Sequence, residues 1–204
     1  MRFLSHRDTM RLWQRAFVRA QIPVCFSQGY NPHMILTLPL PRSVGMSSDF
    51  ELLLLKLPHH FPSENFIRLT QSQLPLGIKL LALQDIPNRV SMTPRWARYQ
   101  IALKGRLDDD QLSDSLRIFN EADGWEVKRA ARGRHPGRTI DLKTTVSRME
   151  YDDKNNNIFC EIRIDPSGTA RMDELLSVLH LTEPGLVTEI RRLAVGYPIP
   201  IGKN

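Results

Sequence analysis

The sequence predicts an α+β fold made of two ferredoxin-like units in tandem. Each half reads as a helix, three strands, a helix and a strand, and the second half has one more strand in front. This order is the split β-α-β plan used twice, with the opening strand of the first unit missing. A segment with two prolines, residues 85–94, separates the halves. We therefore assign residues 1–88 to an N-terminal unit and residues 95–204 to a C-terminal unit.

Local signals place the elements of the first half. Ser5 is the expected N-cap of a helix over residues 5–21, with Asp8 three residues on in the manner of a capping box, and Pro23 stops the helix. The near-continuous apolarity of residues 50–57 predicts a strand that is buried on both faces. The other strands are expected at residues 24–26, 34–38 and 77–83, and a short helix at Ser63 precedes the last of them.

The second half continues the alternation of helices and strands. Its helices are expected at residues 108–120 and 172–179. A tight polar turn at residues 152–157 should lead into a strand. The strands are expected at residues 98–103, 125–128, 139–147, 158–164 and 187–195, with an extended tail at residues 197–200.

Composition limits the class of protein. Hydrophobic content of 41% and charged content of 25% are typical of a soluble globular protein, and no apolar run is long enough for a membrane helix. The first residues turn polar at once, which argues against a secretory signal. Cys25 and Cys160 have no second cysteine at CxxC spacing, so we expect two reduced, buried thiols in a cytoplasmic protein. Two cysteines cannot hold a four-cysteine zinc site or an iron–sulfur cluster unaided.

Basic charge is concentrated in the first half. Residues 1–92 hold ten Lys and Arg against five Asp and Glu, whereas the remainder holds eighteen against seventeen. The whole chain carries a formal charge of +6. Such an excess suits an anionic partner such as RNA.

Four arginines recur at every fourth position of the first predicted helix. Arg7, Arg11, Arg15 and Arg19 therefore share one face, opposite the apolar face, and like charges at this spacing repel one another. Two interpretations are open, a solvated surface and a face that binds an anionic partner.

A second basic segment lies between two predicted strands, at residues 128–138. It contains Gly and Pro and no acid, and its cations are Lys128, Arg129, Arg132, Arg134 and Arg138. A flexible basic hairpin of this kind can follow a phosphate backbone, and the alternative is a solvated loop.

The most unusual segment is a polar block at residues 27–33. Gly29 can adopt a positive φ that lets a ligand approach the backbone, and Pro32 keeps Asn31 extended. The block is either a binding site on a rigid scaffold or a polar turn whose side chains satisfy local backbone groups. We assign substrate binding to Ser5, His6, Asp8, Ser27, Gln28, Gly29, Tyr30, Asn31 and His33.

Histidines offer candidates for catalysis. If the polar block folds back over the start of the first helix, His6 and His33 meet there, and Tyr30 is the third candidate. The alternative for His6 is a satisfied core or cap residue. His59 and His60 would point apart on a strand, so no metal site is expected at them.

Three motifs in the first 45 residues carry a resemblance to a known family. They are Phe3-Leu4-Ser5-His6-x-Asp8, Ser27-Gln28-Gly29-Tyr30-Asn31-Pro32-His33, and Leu38-Pro39-Leu40-Pro41 with Gly45. Together they resemble the radical SAM-linked protein family, a bacterial domain of unknown function that is fused to or encoded beside radical SAM enzymes. The resemblance implies an accessory module with no cofactor of its own, whose partner carries the iron–sulfur cluster and S-adenosylmethionine.

Three functional hypotheses follow. The preferred one is a module that docks a radical SAM protein and presents an RNA, such as a tRNA or rRNA, for modification, so that this chain alone is not an enzyme. The second is a metal-independent endoribonuclease, because duplicated ferredoxin-like folds with a histidine at the start of the first helix also resemble CRISPR repeat-processing enzymes. In it, His6 or His33 would act on a ribose 2′-hydroxyl with help from Tyr30 or an arginine. The third is a purely structural partner of a radical SAM protein.

Overall fold

The computed structural model describes residues 2–87, 90–105, 109–131, 133 and 136–199. The helices are α1 (His6–Arg19), α2 (Ser63–Gln71), α3 (Asp109–Glu121) and α4 (Met172–Val178). The strands are β1 (Leu36–Thr37), β2 (Met46–Ser48), β3 (Leu54–Leu55), β4 (Trp96–Leu103), β5 (Glu126–Arg129), β6 (Arg138–Asp141), β7 (Met149–Asp152), β8 (Asn157–Arg163) and β9 (Val187–Gly196).

The described residues fall into two compact units. Unit 1 holds residues 2–46 and 51–93 together with residues 197–199, and unit 2 holds residues 47–50 and 94–196. The pairs β1–β3, β4–β8, β4–β9, β5–β6 and β7–β8 are all antiparallel. Helices combined with antiparallel sheets confirm the predicted α+β class.

Side-chain and backbone caps define α1 at both ends. The Ser5 hydroxyl accepts a hydrogen bond from the backbone N–H of Asp8 at 3.2 Å, as an N-cap does. At the other end Gln21 has a φ of 55°, and the Ile22 N–H reaches the Phe17 carbonyl at 3.0 Å. This left-handed turn ends the helix before Pro23 does, because it redirects the chain within two residues.

The core of unit 1 forms where the apolar face of α1 meets α2 and β1. Phe17 is its centre, with ring centroids 5.6 Å from Trp13 and 5.8 Å from Phe66. Met34 and Leu36 are buried in the same cluster. The arginines of α1 are consequently turned to the opposite, exposed face.

Two strand predictions in unit 1 are corrected by hydrogen bonding and burial. Residues 50–57 form only the short strand β3, and Leu52 to Leu55 are half-buried, so the expected burial on both faces is wrong. Residues 77–83 form no strand in this part of the chain. The Gln71 side chain instead donates to the Ile78 carbonyl at 3.1 Å and accepts from the Leu80 N–H at 2.8 Å. In the predicted strand these backbone groups would bond to a neighbouring strand, and here they bond to the amide of Gln71.

Unit 2 is organised by a five-stranded sheet with the order β2-β9-β4-β8-β7. Ile101 of the central strand β4 pairs with Ile158 of β8 and Ile190 of β9. α3 follows β4 along the chain and α4 follows β8. Phe119 of α3 and Leu175 of α4 are fully buried.

A separate hairpin of β5 and β6 carries the predicted basic segment. Its register pairs Val127 with Ile140 and Arg129 with Arg138. The strand predicted over residues 139–147 ends at Asp141, because the Asp141 carboxylate accepts from the Lys143 N–H at 3.0 Å and starts a 3-10 turn, Leu142–Thr144. β7 follows this turn at residues where the sequence pattern predicts no strand.

The tandem ferredoxin-like arrangement stays a prediction. In unit 1 the described ladder is the two-stranded pair β1–β3, extended by a single bridge between Phe26 and Met34. A full four-stranded sheet is not present among the described residues of that unit.

Candidate functional site

A cationic groove lies along α1 in unit 1. Its opposite wall is the segment 72–75, which follows α2, and its volume is about 650 Å³. Positions four residues apart on a helix are separated by about 6 Å along its axis, so the arginines form a regular row. The residues on the α1 side are Leu4, Asp8, Arg11, Leu12, Arg15 and Arg19.

One arginine ties the two walls of this groove together. Arg19 Nη2 donates to the backbone carbonyl of Gln73 at 2.8 Å. The same guanidinium lies in the last turn of α1, where a positive charge is favoured by the helix dipole. Arg19 is therefore a structural as well as an electrostatic part of the groove.

Arg11 and Arg15 face the groove without an ion-pair partner among the described residues. The one carboxylate in the lining, that of Asp8, accepts a 2.6 Å hydrogen bond from the Ser5 hydroxyl. This hydrogen bond holds the pKa of Asp8 below its ordinary value, and the charges of Arg11 and Arg7 act in the same direction. Asp8 stays ionised at neutral pH, yet three guanidinium groups outnumber it, and the groove remains positive.

The first turn of α1 holds the remaining residues predicted there. Arg7 is exposed but lies outside the lining of the groove. His6 is exposed as well, on the first turn rather than in the core. No hydrogen bond or ion pair links His6 to His33 in the part of the chain that the structure describes, and the meeting of the two histidines stays a prediction.

The polar block forms an exposed hairpin loop. Its ends are closed by the Ser27 N–H, which donates to the His33 carbonyl at 2.8 Å, and by the His33 N–H, which donates to the Ser27 hydroxyl at 2.9 Å. Gly29 has a φ of 131°, a conformation that favours glycine. Tyr30 has a relative exposure of 101%. Gln28 and Asn31 are exposed beside it, so this part of the predicted site is convex.

The described cations of the predicted basic segment differ in burial. Arg129 is engaged, because it forms an ion pair with Glu174 of α4 and its side chain is only 9% exposed. Lys128 is exposed, and exposed Arg138 donates to the Ser167 carbonyl at 3.0 Å. Arg132 and Arg134 lie outside the described residues. We therefore leave Arg129 out of the surface available to a ligand.

Neither cysteine is paired, and their environments differ. Cys160 is buried, and burial raises the pKa of its thiol to about 12. Cys25 is half-buried, not buried as expected. Within the described ranges, no three His, Cys, Asp or Glu side chains are grouped to hold a metal ion, and no described helix is long and apolar enough to cross a membrane.

Sequence reasoning missed the wall of the groove opposite α1. Ser72, Gln73, Leu74 and Pro75 carry no charge and no periodic pattern that marks a site. They reach the groove because α2 ends at Gln71 and the chain turns there, with the Gln73 N–H bonded to the Thr70 carbonyl at 3.0 Å. No local signal could have found them.

The fold and the groove define an α+β protein with a cationic groove along α1. A family profile, described as an uncharacterized protein conserved in bacteria (DUF2344), matches residues 1–173. The chain belongs to this family. The family description does not mention radical SAM enzymes, so that link stays a prediction.

Comparison with solved structures adds a structural similarity. No curated protein sequence matches the chain. A chain in the crystal structure of a Cbf5-Nop10-Gar1 complex is similar, with a TM-score of 0.46 and 11% identity, and the alignment covers 95% of this chain and 46% of that chain. The present chain thus spans about half the length of the solved chain that it matches.

Proposed function

We propose that this protein is a binding module that holds an RNA strand along the groove of α1. The observation that carries the proposal is the row of Arg11, Arg15 and Arg19 on one wall, with a single carboxylate among them. Guanidinium groups are a usual means of binding phosphate, since each offers several donors in a fixed plane. Arg11 and Arg15 have no ion-pair partner among the described residues, and Arg19 uses one donor on the Gln73 carbonyl. A row with steps of about 6 Å suits the successive phosphates of a strand.

The basic hairpin of unit 2 offers a second binding surface for the same class of ligand. Lys128 and Arg138 are exposed on it, and the neighbouring loop adds more arginines in sequence. The fixed base of the hairpin supports this role, since Arg129 ties β5 to α4 through Glu174. Each unit would therefore bind phosphates of its own.

The proposal includes a radical SAM protein as the partner that modifies the RNA. This part rests on the resemblance of the motifs around Ser5 and Tyr30. The partner would supply the iron–sulfur cluster and S-adenosylmethionine, because this chain has only Cys25 and Cys160, which lie in different units. The antiparallel order β9-β4-β8-β7, with α3 after β4 and α4 after β8, supports the split β-α-β plan for unit 2, and we extend this plan to unit 1 as a proposal.

The test is salt-dependent binding of a labelled single-stranded RNA to the full chain, measured by fluorescence anisotropy. Wild-type affinity should fall as salt rises. Arg15→Ala should lower the affinity, and it should reduce the slope of log K against log salt by about 0.7 for each phosphate that the variant no longer neutralises. Arg7→Ala is the matched control, because it removes the same charge from the same helix outside the groove.

The outcomes separate the groove from general charge. Equal decreases in affinity for Arg7→Ala and Arg15→Ala would mean that net charge, not the groove, holds the RNA. RNA affinity that does not change with salt concentration, or the absence of RNA binding at low salt, would overturn the proposal.

The recovered RNA also decides between this proposal and the endoribonuclease hypothesis. His6 is exposed on the same helix as the groove, so a bound RNA would pass near it. If the protein is only a binding module, the RNA should remain uncleaved after long incubation with it in the absence of metal. Cleavage that leaves a 2′,3′-cyclic phosphate and stops in His6→Ala would replace the accessory role with an enzymatic one.

A further inference from the structure

Unit 2 contains a second cleft, whose lining includes no lysine or arginine. It lies where the start of β5 faces α4, and its volume is about 370 Å³, within the range of small-ligand sites. Val127 of β5 and Val178 of α4 give it an apolar floor. Glu174 also borders it, but both oxygens of that carboxylate are engaged by Arg129.

The rim of this cleft combines an aromatic ring with polar side chains. Trp125 lines one side, and its ring is held by Phe119, with centroids 5.5 Å apart and planes inclined by 48°. Asp173 and Ser177 lie four residues apart on α4 and line the other side. Neither side chain forms a hydrogen bond or an ion pair with any residue that the structure describes.

His180 completes the rim just beyond the end of α4. Its φ of 56° belongs to the left-handed region, and the Leu181 N–H bonds to the Leu176 carbonyl at 2.8 Å. This turn ends the helix and leaves the imidazole exposed at the cleft.

We propose that this cleft holds an unpaired nucleobase that carries an exocyclic amino group. The Trp125 ring supplies a surface for stacking, which is how proteins commonly hold a splayed-out base. An ionised carboxylate can only accept hydrogen bonds, so Asp173 selects a base edge that donates from an amino group. Uracil presents two carbonyl oxygens around its single N–H, and adenine and cytosine should therefore bind better than uracil.

The inference deepens the proposed RNA-binding function, because it assigns base recognition to unit 2 and backbone binding to the arginines. Its test uses nucleosides, which carry no phosphate and do not depend on the groove of α1. Adenosine, cytidine and uridine are titrated into the full chain, and the indole N–H signal of Trp125 is followed by NMR and assigned with Trp125→Phe.

The expected result is that adenosine and cytidine shift this signal and bind at least about tenfold more tightly than uridine. Asp173→Asn should lower the adenosine affinity about tenfold, because an uncharged amide oxygen accepts a hydrogen bond from the amino group less strongly than a carboxylate does. Asp110→Asn is the matched control, since Asp110 is an exposed acid in the first turn of α3 and does not line the cleft. Thermal melts check that both variants fold.

Equal affinity for the three nucleosides, an unmoved Trp125 signal, or an Asp173→Asn variant that binds adenosine as wild type does would each overturn the inference. The failures are distinguishable. If RNA binds the arginine groove but nucleosides leave the Trp125 signal unchanged, only the base-pocket inference is wrong. If nucleosides bind but RNA binding does not depend on Arg15 or on salt, only the groove proposal is wrong.

Discussion

Arg129 and Glu174 form a bidentate ion pair inside unit 2. Arg129 Nε donates to Glu174 Oε1 at 2.6 Å and Arg129 Nη2 donates to Oε2 at 2.7 Å, and the side chains are only 9% and 8% exposed. Arg129 also donates to the Thr169 carbonyl at 2.7 Å, and Glu174 accepts from the Arg171 N–H at 2.8 Å. One pair therefore joins the hairpin to the start of α4.

Breaking this pair should destabilise the protein strongly. Glu174→Gln leaves the Arg129 guanidinium buried without its countercharge, and we expect a decrease of about 3 kcal/mol in the free energy of unfolding, measured with urea. Glu161→Gln is the control, because Glu161 pairs with Arg98 at 3.1 Å on the surface, and its replacement should cost less than about 1 kcal/mol. Equal decreases for the two variants would show that burial adds nothing to the pair.

The contribution of Glu174 should depend on pH with a defined sign. Burial alone would raise the pKa of Glu174, but the hydrogen bonds from Arg129 and the Arg171 N–H hold it below the ordinary value of 4.5. The folded state thus binds a proton at this group less readily than the unfolded state. The stabilisation is present in full well above pH 4.5 and disappears as the pH falls through the lowered pKa.

The measurement is the difference in unfolding free energy between wild type and Glu174→Gln across acidic pH. This difference should be largest at neutral pH and should shrink below pH 4.5. A difference that grows on acidification would contradict the lowered pKa.

Removing the Ser5 hydroxyl should weaken α1 and release Asp8. Ser5→Ala removes an N-cap, which typically lowers stability by about 1 kcal/mol. The pKa of Asp8, followed by NMR titration, should rise toward its ordinary value because its largest perturbation is the Ser5 hydrogen bond. Ser63→Ala is the control, since Ser63 begins α2 without a side-chain hydrogen bond and should change stability by only a few tenths of a kcal/mol. An Asp8 pKa that does not move in Ser5→Ala would assign the shift to the arginines.

Replacing Gly168 by alanine should destabilise the protein, mainly through backbone strain, since the one close contact is with the end of a flexible side chain. The φ of Gly168 is 154°, and an added Cβ would lie 2.5 Å from Cδ1 of Ile140. Gly168→Ala should therefore cost about 1–3 kcal/mol of stability. Ile140→Val removes Cδ1. In the Ile140→Val variant, Gly168→Ala should therefore lower the free energy of unfolding by less, but still lower it, because the backbone strain remains. A double-mutant cycle of unfolding free energies measures this coupling, and a coupling of zero would exclude the clash.

Features that depend on local chemistry could be predicted from the sequence. Ser5 caps α1 because its hydroxyl accepts from the Asp8 N–H, although the Asp8 carboxylate bonds to that hydroxyl and not to the Ser5 N–H as in a capping box. The arginine row follows from the helical repeat. The hairpin around residues 128–138 was predicted because Gly and Pro interrupt two strand patterns. Residues 77–83 have the apolar pattern of a strand but form none. The Gln71 side chain bonds the Ile78 carbonyl and the Leu80 N–H, and the apolar pattern gives no sign of this contact.

The same division applies to the candidate site. Local sequence was enough to place Arg11, Arg15 and Arg19 on one helix face and to predict a polar turn from Ser27 to His33. Packing between distant segments places the arginines across a groove from residues 72–75. Packing of the same kind buries Arg129 in an ion pair with Glu174. Caps, turns and helix faces arise from residues within a few positions of one another. A groove wall or a buried countercharge comes from distant parts of the chain, and only the folded chain brings these together.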